Sequence, residues 1–160
     1  MVQRIALGGR RGAGRFALVD DADAELVANY SWSLHTNGHG GEYVAAYVRG
    51  SGRANPRFVL MHQLITGKRH QDHVNGDGLD NTRDNLRDAS RSQNGANQNS
   101  RGGSSRFKGV HWAKPSWIAR ITVNGRGIHL GSFSDEVEAA KAYDLAAREM
   151  FGEFARLNFP

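Results

Sequence analysis

The sequence predicts an α+β fold made of two modules. Short strand-like segments recur over residues 16–65 with turn residues between them, which is typical of a small β-rich region. From residue 104 onward, three strand patterns are followed by one long helical pattern, which predicts a three-stranded antiparallel sheet packed on one α-helix. A chain of 160 residues has room for one ordinary domain or two small ones.

The N-terminal strand-like segments are RFALVD, YSWSLH, EYVAAYV and RFVLMHQLI. Between the first two, DDADAELVANY opens with aspartates and predicts a short helix or turn. Residues 66–88 are rich in loop-forming residues. A helix-like pattern begins within the stretch NLRDASRSQNGANQ, with Asp84 or Asn85 as its candidate cap. Asn, Gly and Ser then dominate, so we expect modules at 1–94 and 104–160 joined by a linker at 95–103.

The C-terminal strands are predicted in FKGVHW, SWIARITV and GIHLGSF, with an Asn-Gly hairpin turn in NGRG at 124–127. The helix is expected to begin at a Ser134 cap and to end near Gly152. Its apolar stripe is predicted to comprise Val137, Ala140, Tyr143, Ala147 and Met150. Alternation along the middle strand places Trp117, Ala119, Ile121 and Val123 beneath the helix. The same alternation leaves Arg120 and Thr122 on the open face.

The charge is unevenly distributed along the chain. Residues 1–82 hold 9 basic and 8 acidic residues, residues 83–130 hold 9 and 2, and residues 131–160 hold 3 and 6. A solvated face usually mixes both signs, so the one-sided middle stretch favours a polyanion partner, nucleic acid, over an ordinary basic surface.

Composition excludes several classes of protein. Cysteine is absent, which excludes a disulfide framework and a cysteine-ligated zinc site. No apolar run approaches the roughly eighteen residues of a membrane span, and the N-terminus lacks the apolar core of a signal peptide. We therefore expect a soluble, cytoplasmic protein with no membrane partner and no evident protein partner.

The segment DHVNGDGLDN at 72–81 combines hard oxygen ligands with one histidine. It is not an EF-hand calcium loop. Counting from Asp72 puts Val74 at position three, and counting from Asn75 puts Leu79 at position five, whereas both positions require oxygen ligands.

Residues 104–160 resemble the ethylene-response-factor (Apetala-type) DNA-binding domain through FKGV, LGSFSDEVEAAKAYDLAA and the closing LNFP. That family places a three-stranded sheet in the DNA major groove, and cations beside aromatic residues on a sheet face suit such binding. A solvated sheet face is the plain alternative. The resemblance implies that double-stranded DNA is the partner. We expect its contacts to include Lys108, His111, Trp112, Lys114, Arg120, Thr122, Arg126 and His129.

Residues 59–94 resemble the HNH nuclease motif in its phage-type and homing-endonuclease form. The matching stretches are LMHQLITG, DHVNGDGLDNTRDNLR and SRSQN. The resemblance implies a ββα-metal module in which one divalent ion, Mg²⁺ or Mn²⁺, is held by Asp72 and by Asn94. Neighbouring side chains of a strand point to opposite sides, so Asp72 can hold the metal while His73 addresses the attacking water. His73 is therefore the expected general base. The resemblance gives Asn85 the task of holding the loop and positioning His73.

Other polar residues of this region have weaker assignments. His62 is expected to support the site or to touch phosphate, although a core histidine is nearly as good an interpretation. Asp77 and Asp80 suit turns. Arg83, Arg87 and Arg91 could follow the DNA backbone or lie on an ordinary helix surface. The sequence thus predicts a site-specific, metal-dependent DNA endonuclease, and the alternative is a non-enzymatic DNA-binding regulator on a nuclease-derived scaffold.

Overall fold

The computed structural model describes residues 1–37, 41–48, 56–100 and 102–160. The chain divides into two compact units, Met1–Asp88 and Ala89–Pro160. Both units combine β-strands with few helices, so the mixed α and β composition is confirmed. The boundary between Asp88 and Ala89 reflects the packing of each unit. The module bounds at residues 94 and 104 stay a prediction. Among the described residues, no helix is long and apolar enough to cross a membrane.

The first unit contains two antiparallel sheets and a short hairpin, in the orders β1-β2, β3-β4-β5 and β6-β7. Its strands are β1 (Val2–Ala6), β2 (Phe16–Asp20), β3 (Ser33–Thr36), β4 (Glu42–Val48), β5 (Arg57–Leu60), β6 (Gln71–His73) and β7 (Leu86–Asp88). Its helices are α1 (Asp21–Ala28) and α2 (Met61–Thr66).

The core of the first unit lies where β2, β4 and the two helices meet. Val19, Val27, Val44 and Met61 are fully buried there. Strand alternation explains the choice in β2, since Ala17 and Val19 point inward while Phe16 is exposed. This core forms the support on which the β6-β7 hairpin and its loop are built.

One predicted strand proves to be a strand followed by a helix. RFVLMHQLI ends its extended part at Leu60, and α2 begins at Met61. Met61 and Ile65, four residues apart, are both buried, as expected of one face of a helix. The single-strand prediction was wrong because a short apolar run does not distinguish the two periods.

The helix expected after residue 84 begins later. Residues Arg83–Asn85 form a 3₁₀ turn, and helix α3 (Arg91–Asn97) starts after Ser90. The Ser90 hydroxyl accepts from the Gln93 amide while the Gln93 side chain accepts from the Ser90 amide, which is a reciprocal capping box. Residues 95–97, predicted to open the linker, are therefore the last residues of a helix.

The second unit is built around an antiparallel sheet in the order β10-β9-β8. Its strands are β8 (Val110–Ala113), β9 (Ser116–Val123) and β10 (Arg126–Phe133), and helix α4 (Glu136–Phe151) packs on them. Asn124 and Gly125 form the two-residue turn with φ of 51° and 80°, as the Asn-Gly signal predicts. Ala119 and Ile121 are buried while Arg120 and Thr122 are exposed, in agreement with the predicted alternation.

Helix α4 differs from its prediction at its start and in its stripe. Asp135, not Ser134, is the cap, because its carboxylate accepts from the amides of Val137 and Glu138. Phe151 fills the core where Met150 was expected, and Met150 is 40 % exposed. The buried side chains of the helix are Ala139, Ala140, Tyr143, Asp144, Ala146, Ala147 and Phe151.

The glycine of FKGV is required by its surroundings. Gly109 has φ +74°, and a Cβ added there would overlap the ring of Tyr143. We expect Gly109→Ala to lower the free energy of unfolding by more than about 2 kcal/mol. Gly125→Ala is the matched control, because Gly125 has φ +80° but no atom lies within 4 Å of its added Cβ. The control should lose only about 1 kcal/mol in chemical unfolding, and equal losses would contradict the steric explanation.

Candidate active site

Asp72 and His73 are the last two residues of β6, next to the loop of the β6-β7 hairpin. Asp72 pairs with Arg87 and His73 with Leu86 across the two strands. Both side chains are buried, at 4 % and 5 % exposure. Because neighbouring side chains of a strand point to opposite sides, the hairpin holds the carboxylate and the imidazole in different surroundings only one residue apart.

Asn85 closes the loop that joins the two strands. Its Oδ1 accepts from the backbone amide of Asn75 at 2.9 Å, and its Nδ2 donates to the carbonyl of Asp80 at 2.7 Å. Its own carbonyl accepts from the amide of Val74 at 2.9 Å. These bonds fix the backbone that follows His73, which is the loop-holding task expected of Asn85.

Asp77 and Asp80 support the turns of this loop. Asp77 Oδ1 accepts from the Leu79 amide at 2.9 Å, and Asp80 Oδ1 accepts from the Thr82 hydroxyl at 2.7 Å. Short-range bonds of this kind are characteristic of aspartate in turns. The turn interpretation of both residues therefore agrees with their contacts.

The loop is also tied to the rest of the first unit. The amide of Leu18 in β2 donates to the Leu79 carbonyl at 2.9 Å, and the Asn81 amide donates to the Leu18 carbonyl at 2.8 Å. Gly78 lies so close to β4 that an added Cβ would overlap the carbonyl of Glu42. These contacts attach the polar loop to β2 and β4.

Three rings meet beside the hairpin. The rings of His62 and His73 are 5.1 Å apart and perpendicular, and that of Tyr43 lies 6.1 Å from His62 and 6.0 Å from His73. His62 comes from α2 and is 6 % exposed. Tyr43 was missed by the sequence analysis. Strand alternation places the Tyr43 side chain on the opposite face from the core residue Val44. No local pattern indicates which side chains Tyr43 contacts.

Burial keeps both histidines in the neutral form near pH 7. It lowers the pKa of His62 to about 4, and the charge of His73 contributes to this shift. Burial also lowers the pKa of His73, opposed by a hydrogen bond with Asn81 and by the nearby aspartates. Asn81 is fully buried and is the last residue of the segment DHVNGDGLDN, and no role was predicted for it. A neutral imidazole at position 73 is able to accept a proton.

The burial of His62 makes folding stability sensitive to acid. The unfolded chain protonates this histidine below its ordinary pKa of 6.5, whereas the folded chain does so only near 4. Its contribution is therefore complete above pH 6.5 and is lost as the pH falls toward 4, by about 3 kcal/mol in all. We expect His62→Phe to remove this part of the pH dependence in urea unfolding measured from pH 7 to pH 4. An identical pH dependence in both proteins would contradict the assignment.

Asp72 is paired with a cation inside the hairpin. The Nε and Nη2 atoms of Arg87 donate to Asp72 Oδ2 at 3.0 and 2.9 Å, and the Arg87 side chain is 15 % exposed. Arg83 likewise binds Asp23 through two bonds of 2.8 and 2.7 Å. Arg87 lies in a strand, so the helix-surface alternative was wrong for it, whereas Arg83 is an exposed residue at the start of the 3₁₀ turn. Arg91, at the start of α3, is exposed.

Asp72 offers one oxygen ligand of the kind that a hard divalent ion binds. Magnesium is often bound by one or two carboxylates together with waters and substrate phosphates. Asp72 supplies a carboxylate, and in the described part of the chain no three His, Asp or Glu side chains gather as a metal cluster. Asn94, the other expected ligand, lies half-buried on α3 in the second unit.

The second unit presents part of the expected DNA contacts on one face. His111 pairs with Ile118 and His129 pairs with Arg120, and directly paired residues share a face of the sheet. His111, Arg120, Thr122 and His129 are therefore together on the open face, and all four are exposed. The guanidinium of Arg120 lies where a side chain at Gly127 would be, so this glycine makes room for it.

The other expected DNA contacts lie elsewhere. Arg126 pairs with Val123 and Trp112 with Trp117, which places both on the side covered by α4, although both are exposed. Arg126 is therefore on the opposite side of the sheet from Arg120 and Thr122, since a two-residue turn fixes its register against Val123. Lys114 is exposed in the turn between β8 and β9, and Lys108 is half-buried before β8. Contact of these residues with DNA stays a prediction.

Comparison with known proteins identifies two kinds of relative. The chain is 33 % identical over 152 residues to an uncharacterized HNH endonuclease of Acanthamoeba polyphaga mimivirus, covering 92 % of this chain and 77 % of that protein. It is 44 % identical over 55 residues to an AP2-like ethylene-responsive transcription factor of Arabidopsis thaliana. It is also 49 % identical over 59 residues to the dehydration-responsive element-binding protein 2A of the same plant.

The plant matches are local. Each covers 34 % of this chain, and they span 18 % and 17 % of the plant proteins. No family model matches the chain. No solved structure matches it either.

Proposed function

The chain belongs to the HNH endonuclease family, and we propose from this premise that it is a site-specific DNA endonuclease of the homing type. In this proposal it hydrolyses phosphodiester bonds with the help of one divalent metal ion, Mg²⁺ or Mn²⁺. The observation that carries the proposal is the buried Asp72-His73 pair on a short hairpin whose loop is closed by Asn85.

His73 acts as the general base in this proposal. Its imidazole is kept neutral by burial, which is the form that removes a proton from an attacking water. His62 stays uncharged beside it and leaves no second positive charge to repel the proton that His73 accepts. The loop bonds of Asn85 limit the movement of the strand end that carries His73.

Asp72 and Asn94 hold the metal ion in this proposal. The ion supplies neutralisation of the phosphate and of the departing 3′ oxygen when bound. Two hydrogen bonds from Arg87 orient the Asp72 carboxylate. The role of Asn94 is supported by its place in the SRSQN stretch.

The second unit supplies target recognition in this proposal. Its open sheet face carries Arg120, Thr122 and two histidines, and its relatives among plant proteins include one named as a dehydration-responsive element-binding protein. The excess of positive charge over residues 83–130 suits a double-stranded DNA partner.

The proposal is tested with supercoiled plasmid incubated with the full chain, in Mg²⁺ and in EDTA. We expect nicked or linear product in Mg²⁺ and none in EDTA, with gel-shift binding in both. Binding without cleavage under every metal condition would instead support the DNA-binding regulator, and equal cleavage in EDTA would overturn the metal requirement.

A further inference from the structure

Lys108 was expected to contact DNA, but its ammonium group lies among carbonyl oxygens at the end of α3. Its Nζ donates to the carbonyl of Gly95 at 3.3 Å, to that of Gln98 at 2.6 Å, and to that of Ala96. An ammonium group has three N–H donors, and the last carbonyls of a helix have no partner within it. Those carbonyls also carry partial negative charge. Lys108 therefore caps the C-terminal end of α3.

The backbone from which this side chain extends is fixed. The Lys108 amide donates to Asn158 Oδ1 at 2.7 Å, and Asn158 Nδ2 donates to the Lys108 carbonyl at 3.1 Å. The Asp144 carboxylate in turn accepts from the amides of Asn158 and Phe159. The FKGV and LNFP stretches thus meet at Lys108, and the direction of its side chain is set by the fold.

Helix α3 is attached to the rest of the second unit at three further points. Ala96 is 5 % exposed and packs in the core that includes Ile121. The Ala96 carbonyl accepts from the Arg156 amide at 3.1 Å, and Ser92 Oγ accepts from the Asn124 amide at 2.9 Å. The helix is therefore an integral part of this unit, with Lys108 donating to carbonyls at its C-terminal end.

We propose that Lys108 is a positioning residue that holds α3, and with it Asn94, and that it does not bind DNA phosphate. The capping part follows from contacts within the second unit. The consequence for the metal rests on the proposed function, in which Asn94 is a ligand. A lysine at a DNA-contact position of the plant-like module would then have been recruited to orient the ligand helix.

The first test compares Lys108→Met with Lys114→Met in the full chain without metal. Methionine keeps the length of the side chain and removes the charge. Loss of charge-assisted hydrogen bonds at the helix end should quicken hydrogen exchange over residues 91–98 by about tenfold or more in Lys108→Met. Lys114→Met should exchange like the wild type over these residues. Unchanged exchange in Lys108→Met would overturn the capping role.

The same pair separates capping from phosphate contact. The slope of log affinity against log salt should stay unchanged in Lys108→Met and shrink by about 0.9 in Lys114→Met. A slope reduced by about 0.9 in Lys108→Met would assign Lys108 to phosphate and overturn the proposal. An unchanged slope in Lys114→Met would count against DNA recognition by this unit, which belongs to the proposed function.

Amine acetylation of the wild-type chain tests the proposal even if Lys108→Met does not fold. Lys108 should be acetylated slowly with and without DNA, whereas Lys114 should react quickly and be protected by DNA. Fast acetylation of Lys108 that DNA suppresses would overturn the capping role.

Metal binding tests the positioning part. We expect Lys108→Met to raise the dissociation constant for Mn²⁺, measured by electron paramagnetic resonance, by about tenfold, the usual effect of a residue that orients a ligand. Lys108→Arg keeps a cation at the helix end and should restore most of the affinity. Faster exchange with unchanged Mn²⁺ affinity would overturn the positioning role, and absence of Mn²⁺ binding by the wild type would instead count against the proposed metal site.

Discussion

His73→Ala is expected to lower the rate of metal-dependent DNA cleavage by about 10²–10⁴-fold, because a general base contributes that much to rate. The imidazole is buried, neutral and adjacent in sequence to the proposed metal ligand Asp72. A base contributes little to ground-state binding, so the affinity for DNA should change less than about twofold. Single-turnover cleavage and gel-shift titration measure the two effects separately.

His70→Ala is the matched control for this variant. His70 lies three residues earlier and is exposed, so its loss removes a histidine from the same segment without touching the hairpin core. It should cleave at nearly the wild-type rate. Wild-type cleavage by His73→Ala, with its fold verified by circular dichroism, would remove His73 from the mechanism.

Asp72→Asn is expected to show two separate losses. The carboxylate is the proposed metal ligand, so cleavage should fall by at least about 100-fold, and raised Mn²⁺ should restore it only in part. The same change removes the carboxylate charge that pairs with the half-enclosed guanidinium of Arg87, which should lower the free energy of unfolding by about 3 kcal/mol.

The double variant Asp72→Asn with Arg87→Met separates these two roles of Asp72. Removing the Arg87 cation should restore most of the lost stability, since an apolar side chain of similar length replaces it. It should restore none of the activity. If stability and cleavage returned together, Asp72 would be a structural ion-pair partner and its assignment as metal ligand would be wrong.

Local sequence patterns predicted the parts of the fold that depend on neighbouring residues. The turn at Asn124-Gly125 follows from two residues that accept positive φ, and the alternation in β9 follows from strand geometry. The position of α4 followed from its helical period. The cap is Asp135 and not the predicted Ser134, because the Asp135 carboxylate reaches the amides of the first turn.

Contacts between distant residues escaped the sequence analysis. The meeting of Tyr43, His62 and His73 depends on how β4, α2 and the hairpin pack, which no local period encodes. Arg87 could be placed opposite Asp72 only once the register of β6 against β7 was known. The positive charge of Lys108 suits a phosphate contact. Only the structure shows that its N–H groups donate to carbonyls at the end of α3.

The most direct test of the central claim is cleavage of a labelled duplex by the full chain in water enriched in ¹⁸O. A water activated by His73 and a departing 3′ oxygen predict 3′-hydroxyl and 5′-phosphate ends at a defined position, with one ¹⁸O in the new 5′-phosphate. This product should form with Mg²⁺ and wild-type protein, and should be lost in EDTA and in His73→Ala. Bound DNA that stays intact with Mg²⁺, or product ends without the isotope, would contradict metal-dependent hydrolysis by this chain.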